Sequence, residues 1–373
     1  MASSRSSDPL LQIPLFKVHM APREALLPRL EAALYSGQIS EGAPVAEFEV
    51  CFGRFIDAPH CLAFCSGTAA LHTALLLAGV KPGDQVISTA MTAEPTNLAI
   101  LHAGATPIWA DVDPHNGTLT AASIASCLSD RTRAIVVVHY GGIPAELAAI
   151  SALASQHGIP VIEDAAHALG ARYDGRLLGV HSDFVMFSLQ AIKHLTTIDG
   201  GMLSCRDPAH LPRGRRLRWF GLDRAAPRTE VDITEVGFKY NMNNVTATIG
   251  QVQLDYIAPI LARHIDNGRY FDQALANIAG LELCQWDRAA EPSYWFYTVL
   301  TDQPSALARH LDAHGIASSQ AHRRNDLHSV FSDRRRELPG LDHFYARMLH
   351  IPCGWWVDDA ARESMVEIIK RGW

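Results

Sequence analysis

The chain has 373 residues, 48% of them hydrophobic, and a formal net charge of −7 at pH 7, so it can build a full core as one large and one smaller domain. The negative charge argues against nucleic-acid binding, and no apolar run approaches the ~20 residues of a membrane span. Seven scattered cysteines without a Cys-x-x-Cys pair argue against a disulfide framework or a metal site, and favour reduced thiols in the cytoplasm.

Apolar strands and helical segments alternate along the chain, which is typical of an α/β fold. We expect residues 1–13 to form a disordered tail, residues 14–245 a large domain, and residues 246–373 a bridging helix with a small C-terminal domain. Predicted strands lie at residues 60–64, 85–88, 106–110, 133–139, 160–163, 184–187, 202–204 and 294–300. Predicted helices lie at residues 68–77, 94–103, 121–128, 144–157, 246–276 and 304–314.

Three small residues, Ser66, Gly67 and Thr68, follow the first predicted strand and open a helix with an apolar stripe at Leu71 and Leu75. A helix N-terminus with free backbone N–H groups and little side-chain bulk can bind a phosphate. Such a tripeptide is also common in ordinary turns, so its meaning depends on the motifs that accompany it.

The strand predicted at residues 160–163 is followed directly by Asp164. This position is the carboxyl end of a buried strand, where open α/β sheets bind ligands. A carboxylate there can hold the protonated ring nitrogen of pyridoxal 5′-phosphate (PLP). The alternative is that Asp164 only caps the segment that follows.

Lys193 lies in a polar bend between the strands predicted at residues 184–187 and 202–204. A site that destabilises its ammonium form would free the amine to form a Schiff base with an aldehyde. Taken alone, the segment fits a solvated surface lysine equally well. Together with a phosphate site and a strand-end carboxylate, however, the lysine completes a set of groups suited to PLP.

These motifs, in this order, resemble those of the DegT/DnrJ-type PLP-dependent sugar aminotransferases, a family within the fold-type I aminotransferases. The resemblance extends from about Pro14 to about Trp356. It implies an α/β fold with a mainly parallel central sheet and a smaller C-terminal α+β domain. The motifs that carry it lie at residues 36–42, 66–71, 104–107, 111–113, 163–167, 188–193, 199–201 and 237–243.

The resemblance also implies roles for individual residues. Lys193 matches the lysine that binds PLP covalently and then moves a proton between substrate and cofactor, and Asp164 matches the carboxylate on the pyridine nitrogen. Asn241 matches an asparagine that reaches the phosphate from the other subunit, which implies a homodimer with shared active sites. The full set of implied cofactor contacts is Ser66, Gly67, Thr68, Ala93, Asp164, His167, Ser188, Gln190, Lys193 and Asn241.

One position departs from the family pattern. The family often places an aromatic residue over the cofactor ring where this chain has Ala93. A stacking contribution of about 1 kcal/mol is then missing, or is supplied by Met91 or a backbone plane. The departure indicates a pocket of different shape.

Basic residues in the second half of the chain are further candidates for substrate binding. Arg213, Arg215, Arg216 and Arg218 form one cluster, and the segment at residues 321–328 falls where the family's C-terminal domain lines the substrate entrance. In that segment we select His322 and Arg324, because arginine pairs bidentately with phosphate and carboxylate groups. Solvated surface charge is the alternative for both groups.

The function that the resemblance implies is transfer of an amino group from an amino acid, expected to be L-glutamate, to a keto sugar. The sugar is expected to be nucleotide-linked and to serve surface polysaccharide or secondary-metabolite biosynthesis. A related branch of the family, the sugar dehydratases, carries histidine at the position of the PLP-binding lysine. The five-residue spacing from Ser188 places Lys193 at that position and not its neighbour His194, which favours amino transfer over dehydration. A PLP-dependent sugar dehydratase, an aminotransferase for a free keto sugar acid and a non-catalytic regulatory protein on the same fold remain alternatives.

Overall fold

A seven-stranded sheet forms the centre of the molecule in a computed structural model that describes residues 12–224 and 226–373. The strands are β1 (Cys61–Phe64), β2 (Gln85–Ser88), β3 (Thr106–Trp109), β4 (Thr132–Val138), β5 (Val161–Asp164), β6 (Arg172–Tyr173), β7 (Arg176–Leu177), β8 (Phe184–Ser188), β9 (Gly201–Cys205), β10 (Glu282–Leu283), β11 (Ala290–Glu291), β12 (Tyr297–Leu300) and β13 (Met348–Ile351). The helices are α1 (Arg23–Leu34), α2 (Ala43–Phe55), α3 (Gly67–Leu77), α4 (Glu94–His102), α5 (Ala121–Ala125), α6 (Leu147–His157), α7 (His210–Leu217), α8 (Asn244–Ala274), α9 (Pro304–Ala313), α10 (Pro339–Arg347) and α11 (Asp359–Lys370).

The strand order of the central sheet is β1-β9-β8-β5-β4-β2-β3. From β8 to β3 all neighbours are parallel, whereas β9 is antiparallel to both β1 and β8. The prediction of a mainly parallel central sheet is therefore confirmed. Because β1 and β8 flank β9 in the same direction, the carboxyl ends of β1, β8 and β5 all meet at one edge.

The central strands are covered on both faces. In β4 every residue except Arg133 is buried, and β5 is buried throughout. Continuous apolar strands of this kind require helices on each side of the sheet, and the buried residues on its two faces belong to two separate clusters. The strands predicted in this part of the chain agree with the observed ones to within one residue at each end.

Several elements differ from the predictions. Helix α5 ends at Ala125 instead of residue 128, and α6 begins at Leu147 instead of residue 144. Strand β12 begins at Tyr297, three residues after the predicted start. Helices α1, α2, α7, α10 and α11 were not predicted.

The predicted tail of residues 1–13 is only partly covered, since residues 1–11 lie outside the described part of the chain. Ile13 does not belong to a disordered tail. Its N–H donates to Gly315 O (2.9 Å), its own carbonyl accepts from Ala317 N (2.9 Å), and its side chain is buried. Burial of this apolar side chain in the C-terminal core explains the difference.

The C-terminal part of the chain forms a smaller α+β unit around the sheet β10-β12-β13. The 31-residue helix α8 leads into it and begins with an N-cap, in which the Asn243 side chain accepts a hydrogen bond from Thr246 N (2.9 Å). A buried hydrogen bond between Tyr140 Oη and His350 Nε2 (2.9 Å) joins the two units. Among the described residues, no helix has the length and apolar character needed to cross a membrane.

Arg218 forms a buried ion-pair network with two carboxylates. Its guanidinium donates to Glu41 Oε1 (2.8 Å), to Glu49 and to the carbonyl of Ala63 (2.8 Å). Both carboxylates are almost fully buried. The network ties the N-terminal helices to β1, and it shows that one member of the predicted arginine cluster is structural.

We predict that Arg218→Leu destabilises the protein by about 3 to 5 kcal/mol, because it leaves the buried carboxylate of Glu49 without its cation, while Glu41 keeps only its ion pair with Arg224. Arg213→Leu is the matched control, since Arg213 pairs with Glu235 (2.6 Å) at a half-exposed position and should cost less than about 1 kcal/mol. Thermal or urea unfolding measures both changes. Equal losses for the two variants would contradict this interpretation of the network.

Candidate active site

A cavity of about 380 Å³ lies at the edge where the strand ends meet. Most of the predicted site residues line it, namely Ser66, Gly67, Thr68, Ala93, Asp164, His167, Ser188, Gln190, Lys193 and His322. The structure adds lining residues that the sequence did not single out, among them Leu71, Thr92, Glu94, Thr96, Asp199 and Trp295. The cavity is open on one side and largely apolar, as is typical of a small-molecule site.

The amine of Lys193 points into this cavity and not into bulk solvent. Its Nζ lies 3.8 Å from the centre of the Trp295 ring. Burial lowers the pKa of Lys193 to about 7, while the attraction of the Asp164 carboxylate opposes this shift. Near neutral pH a large fraction of the amine is therefore in the uncharged, nucleophilic form.

Asp164 ends β5 next to the end of β8, and its carboxylate is buried. Oδ2 accepts a hydrogen bond from Thr96 Oγ1 (2.7 Å), and Oδ1 accepts one from Ala166 N (3.1 Å). Burial raises the pKa of Asp164, whereas these hydrogen bonds and the charge of Lys193 lower it. The two hydrogen bonds favour the ionised form, which is the form needed to pair with a cation such as a pyridinium nitrogen.

Helix α3 begins at the cavity in a way that leaves room for an anion. The Ser66 side chain accepts a hydrogen bond from Ala69 N (3.1 Å), so the first N–H groups of the helix remain for a ligand. A Cβ at Gly67 would lie 3.1 Å from Ser188 Cβ, and one at Gly201 would lie 2.6 Å from Gly67 N. Only glycine at these two positions lets α3, β8 and β9 approach so closely.

His167 forms part of the cavity wall and stacks on Trp295, with ring centres 3.8 Å apart. Gly141 N donates weakly to His167 Nδ1 (3.4 Å), so the ring hydrogen is on Nε2. Burial lowers the pKa of His167 well below its ordinary value. This histidine is therefore neutral and can donate one hydrogen bond to a ligand.

His322 comes from the C-terminal unit and lines the cavity near His167 and Trp295. Its ring is parallel to that of His167 at 5.5 Å. Burial lowers its pKa to about 4. Among the described residues, Nε2 of His322 is buried without a hydrogen-bond partner, so it is available to a polar group of a bound molecule.

Trp295 is the aromatic residue that sequence reasoning missed. Ala93 lines the cavity without contributing a ring, and Met91 is fully buried outside the cavity lining. The aromatic surface comes instead from Trp295, whose Nε1 donates to Ile192 O (2.9 Å). The run of four aromatic residues at 294–297 was a signal for a strand, but it did not show which ring faces the ligand.

Two predicted site residues lie outside this cavity. Asn241 accepts a hydrogen bond from Lys239 Nζ (2.6 Å) and donates to Met242 O (3.2 Å). Arg324 forms a bidentate pair with Asp326 (2.8 Å for each bond) and a further ion pair with Asp342. These ion pairs hold the segment that carries His322. Because the guanidinium of Arg324 is already paired within the chain, we do not retain Arg324 as a substrate contact.

The residues present fit PLP. Lys193 supplies a buried amine of lowered pKa and Asp164 a carboxylate at the strand end. Ser66, Gly67, Thr68 and Ser188 line the cavity at the N-terminus of α3, where backbone N–H groups can bind a phosphate. His194, the neighbour of Lys193, is buried elsewhere, with its ring 4.6 Å from that of His264 and Nε2 3.3 Å from Ser293 O.

Comparisons with known proteins agree with this geometry. The model of the DegT/DnrJ/EryC1/StrS aminotransferase family matches residues 21–370. The spore coat polysaccharide biosynthesis protein SpsC of Bacillus subtilis is 30% identical over 355 residues, which cover 90% of this chain and 91% of that protein.

Two solved structures are similar over nearly their whole length. The sugar aminotransferase CalS13 from Micromonospora echinospora is 38% identical, with a TM-score of 0.94, 97% of this chain covered and 100% of that chain. AtS13 from Actinomadura melliaura is 38% identical, with a TM-score of 0.93, 97% of this chain covered and 99% of that chain.

We predict that the amine of Lys193 in cofactor-free protein reacts with an acylating reagent at a rate that rises with pH and levels off above about pH 7. Asp164→Asn should move the midpoint to lower pH, because the carboxylate that stabilises the ammonium form is gone. Mass spectrometry of the labelled peptide measures the rate, with exposed Lys81 as the internal control. A rate for Lys193 that still rises at pH 9 would contradict the assignment.

Proposed function

The chain belongs to the DegT/DnrJ/EryC1/StrS aminotransferase family and is a PLP-dependent sugar aminotransferase, and from this premise we propose that it transfers an amino group from L-glutamate to a nucleotide-linked keto sugar. The observation that carries this proposal is the cavity in which the Lys193 amine and the Asp164 carboxylate face the same ligand space. The pathway we propose is the biosynthesis of a surface polysaccharide or of a glycosylated secondary metabolite. We also propose that the protein is located in the cytoplasm.

When bound, PLP supplies an electron sink for the carbanion that forms as a proton leaves the substrate carbon. Asp164 keeps the ring nitrogen protonated, and Thr96 Oγ1 supports it by donating to Oδ2. Lys193 Nζ takes and returns the substrate proton, which requires the neutral amine that burial favours. The proton transfer is fast because the amine is already held beside the reacting atoms.

The remaining predicted contacts fix the position of the cofactor. The start of α3, at Gly67 and Thr68, binds the phosphate through backbone N–H groups, and the hydroxyls of Ser66 and Ser188 line the same corner. Because Gly141 N donates to its Nδ1, His167 would carry its hydrogen on Nε2 and could donate it to the oxygen of the cofactor ring. Gln190, which is exposed at the rim, contacts ligand from the solvent side.

The sugar occupies the side of the cavity between Ala93 and His322. The small side chain of Ala93 leaves space above the cofactor, and the unpaired Nε2 of His322 provides a polar contact for a hydroxyl or carbonyl group. The apolar face of a sugar ring can pack on the rings of Trp295 and His167. A sugar substrate is also supported by the similarity to a spore coat polysaccharide biosynthesis protein and to a sugar aminotransferase.

The active form is a homodimer. Large apolar side chains remain exposed at the end of α1 and in nearby segments: Tyr35 is 85% exposed and Val236 is 78% exposed. Apolar surface of this kind favours burial against a second copy. Asn241 lies outside the cavity of its own chain, which supports its proposed role at the phosphate of the other subunit.

The dehydratase alternative is weaker than amino transfer. It requires histidine in place of the reactive lysine, and His194 is buried against His264 and not among the cavity residues. Lys193 occupies that place instead. The free keto sugar acid remains the second candidate acceptor, because the cavity by itself does not distinguish it from a nucleotide-linked sugar.

The direct test incubates the purified enzyme, L-glutamate and a panel of keto sugars, and scores an amine gained at the keto carbon by mass spectrometry. We expect conversion of at least one nucleotide-linked keto sugar, together with glutamate-driven loss of the visible absorption of the bound cofactor. Lys193→Ala should abolish both, whereas Lys81→Ala, at an exposed position, should leave them unchanged. An intact spectrum that glutamate does not alter would point to a non-transaminating protein.

Shared active sites can be tested by mixing inactive variants. If Asn241 serves the other subunit, random dimers of Lys193→Ala and Asn241→Ala regain roughly one quarter of the wild-type activity, since half of the dimers have one intact site. The control pair Lys193→Ala and Asp164→Asn should regain none, because both residues belong to one cavity. Equal outcomes for the two mixtures would overturn the shared site.

A further inference from the structure

A pair of buried amide side chains connects the two units of the molecule beside the active site. Asn97 lies on α4 of the large unit, and Asn325 lies in the C-terminal unit, three residues after His322. Asn97 Nδ2 donates to Asn325 Oδ1 at 2.8 Å, and both residues are fully buried. The mechanism described above uses neither residue.

The other polar atoms of this Asn97–Asn325 pair are bonded to the loop that carries Ala93. Asn97 Nδ2 also donates to Thr89 O (2.9 Å), and Asn97 Oδ1 accepts from Ser88 Oγ (2.8 Å). Asn325 donates from Nδ2 to Thr92 O and from its backbone N to Ala90 O, both at 2.8 Å. A residue of the C-terminal unit therefore completes the hydrogen bonding of a loop in the large unit.

The loop that carries Ala93 and the C-terminal segment that carries His322 both line the cavity. Thr92 and Ala93 line it from the large unit, and Thr92 Oγ1 is 2.9 Å from Thr96 Oγ1, the hydroxyl that bonds Asp164. His322 lines it from the C-terminal unit. Any shift between the loop and the segment changes the width of the cavity between Ala93 and His322.

The backbone conformation of Ala321, the residue before His322, is not favourable on its own. Ala321 has φ +56°, in the left-handed region that side-chain-bearing residues rarely adopt. A conformation of this kind persists only where the surroundings enforce it. On the N-terminal side, the N–H of Ala321 donates to Ser319 Oγ (2.8 Å) and Gln320 Nε2 donates to Tyr345 O (2.8 Å). After Ala321, the segment is held by the bonds of Asn325 and by the bidentate pair of Arg324 with Asp326.

We propose that the Asn97–Asn325 pair positions His322 opposite Ala93 and so determines recognition of the sugar acceptor. Both asparagines act through His322 and are positioning residues, not catalytic ones. This inference rests on the proposed function, because it places the sugar between Ala93 and His322. It assigns acceptor recognition to a contact between the two units instead of to residues of one unit.

The test compares Asn325→Ala and Asn97→Ala with Asn267→Ala as a matched control. Asn267 is an equally buried asparagine of α8 whose Nδ2 bonds Cys353 O, Gly354 O and Val357 O, at 2.9 to 3.2 Å and outside the cavity lining. All three variants lose stability, because each leaves buried polar groups unpaired. Only the first two should raise KM for the keto sugar, by about tenfold or more, with kcat and the glutamate half-reaction changed less than about threefold.

A double-mutant comparison identifies the route of the effect. If Asn325 acts through His322, the double variant Asn325→Ala/His322→Ala has the same KM as His322→Ala alone. Additive increases in KM, or an increase of the same size in Asn267→Ala, would refute the proposal. Asn97→Ala provides the same comparison from the large unit if Asn325→Ala fails to fold.

A readout without substrate separates this inference from the proposed function. Hydrogen exchange at residues 318–328, followed by mass spectrometry, should speed up in Asn325→Ala and Asn97→Ala and stay at the wild-type rate in Asn267→Ala. If wild-type enzyme aminates no keto sugar, the proposed function fails, and altered exchange still supports the positioning role. Unchanged exchange in both variants would overturn the positioning role whatever the substrate.

Discussion

The active site depends on the attraction between the buried amine of Lys193 and the buried carboxylate of Asp164. Desolvation disfavours the charged forms of both Lys193 and Asp164, and each charge partly restores the other. The result is an amine that can lose its proton near neutral pH and a carboxylate whose raised pKa is lowered in part by the hydrogen bonds from Thr96 and Ala166 N–H. In water at neutral pH the same two groups would both be fully charged, and the protonated amine would not be a nucleophile.

The sheet makes this arrangement possible. Asp164 ends β5 and Ser188 ends the neighbouring parallel strand β8, so the bend that carries Lys193 starts beside the carboxylate. The antiparallel strand β9 lies between β8 and β1 and begins at Gly201, where a side chain would collide with the start of α3. The phosphate site and the reactive amine are thus brought together by one irregularity in an otherwise parallel sheet.

The C-terminal unit contributes Trp295 and His322 to the cavity, and neither belongs to the motifs that carry the family resemblance. Trp295 contacts Lys193, His322 lines the same cavity as Ala93, and the Asn97–Asn325 hydrogen bond connects the segment that carries His322 to the large unit. Arg324, which the sequence suggested as a substrate ligand, serves the same unit through Asp326 and Asp342. Arg218 has a similar structural role in the N-terminal region, where it neutralises Glu41 and Glu49.

The sequence alone determined the strands of the central sheet, the start of α3 and the residues Asp164, Ser188 and Lys193, because these features depend on local pattern and on order along the chain. Apolar runs that end in polar residues specify where a strand stops, and strand ends specify one edge of a parallel sheet. Contacts between distant segments were decided only by the tertiary structure. The structure shows that Trp295 lines the site, that Arg324 does not, and that Asn97 is hydrogen-bonded to Asn325, 228 positions further along the chain. Side-chain direction and the choice of partner depend on packing between the units, and such packing leaves no periodic signal in the sequence.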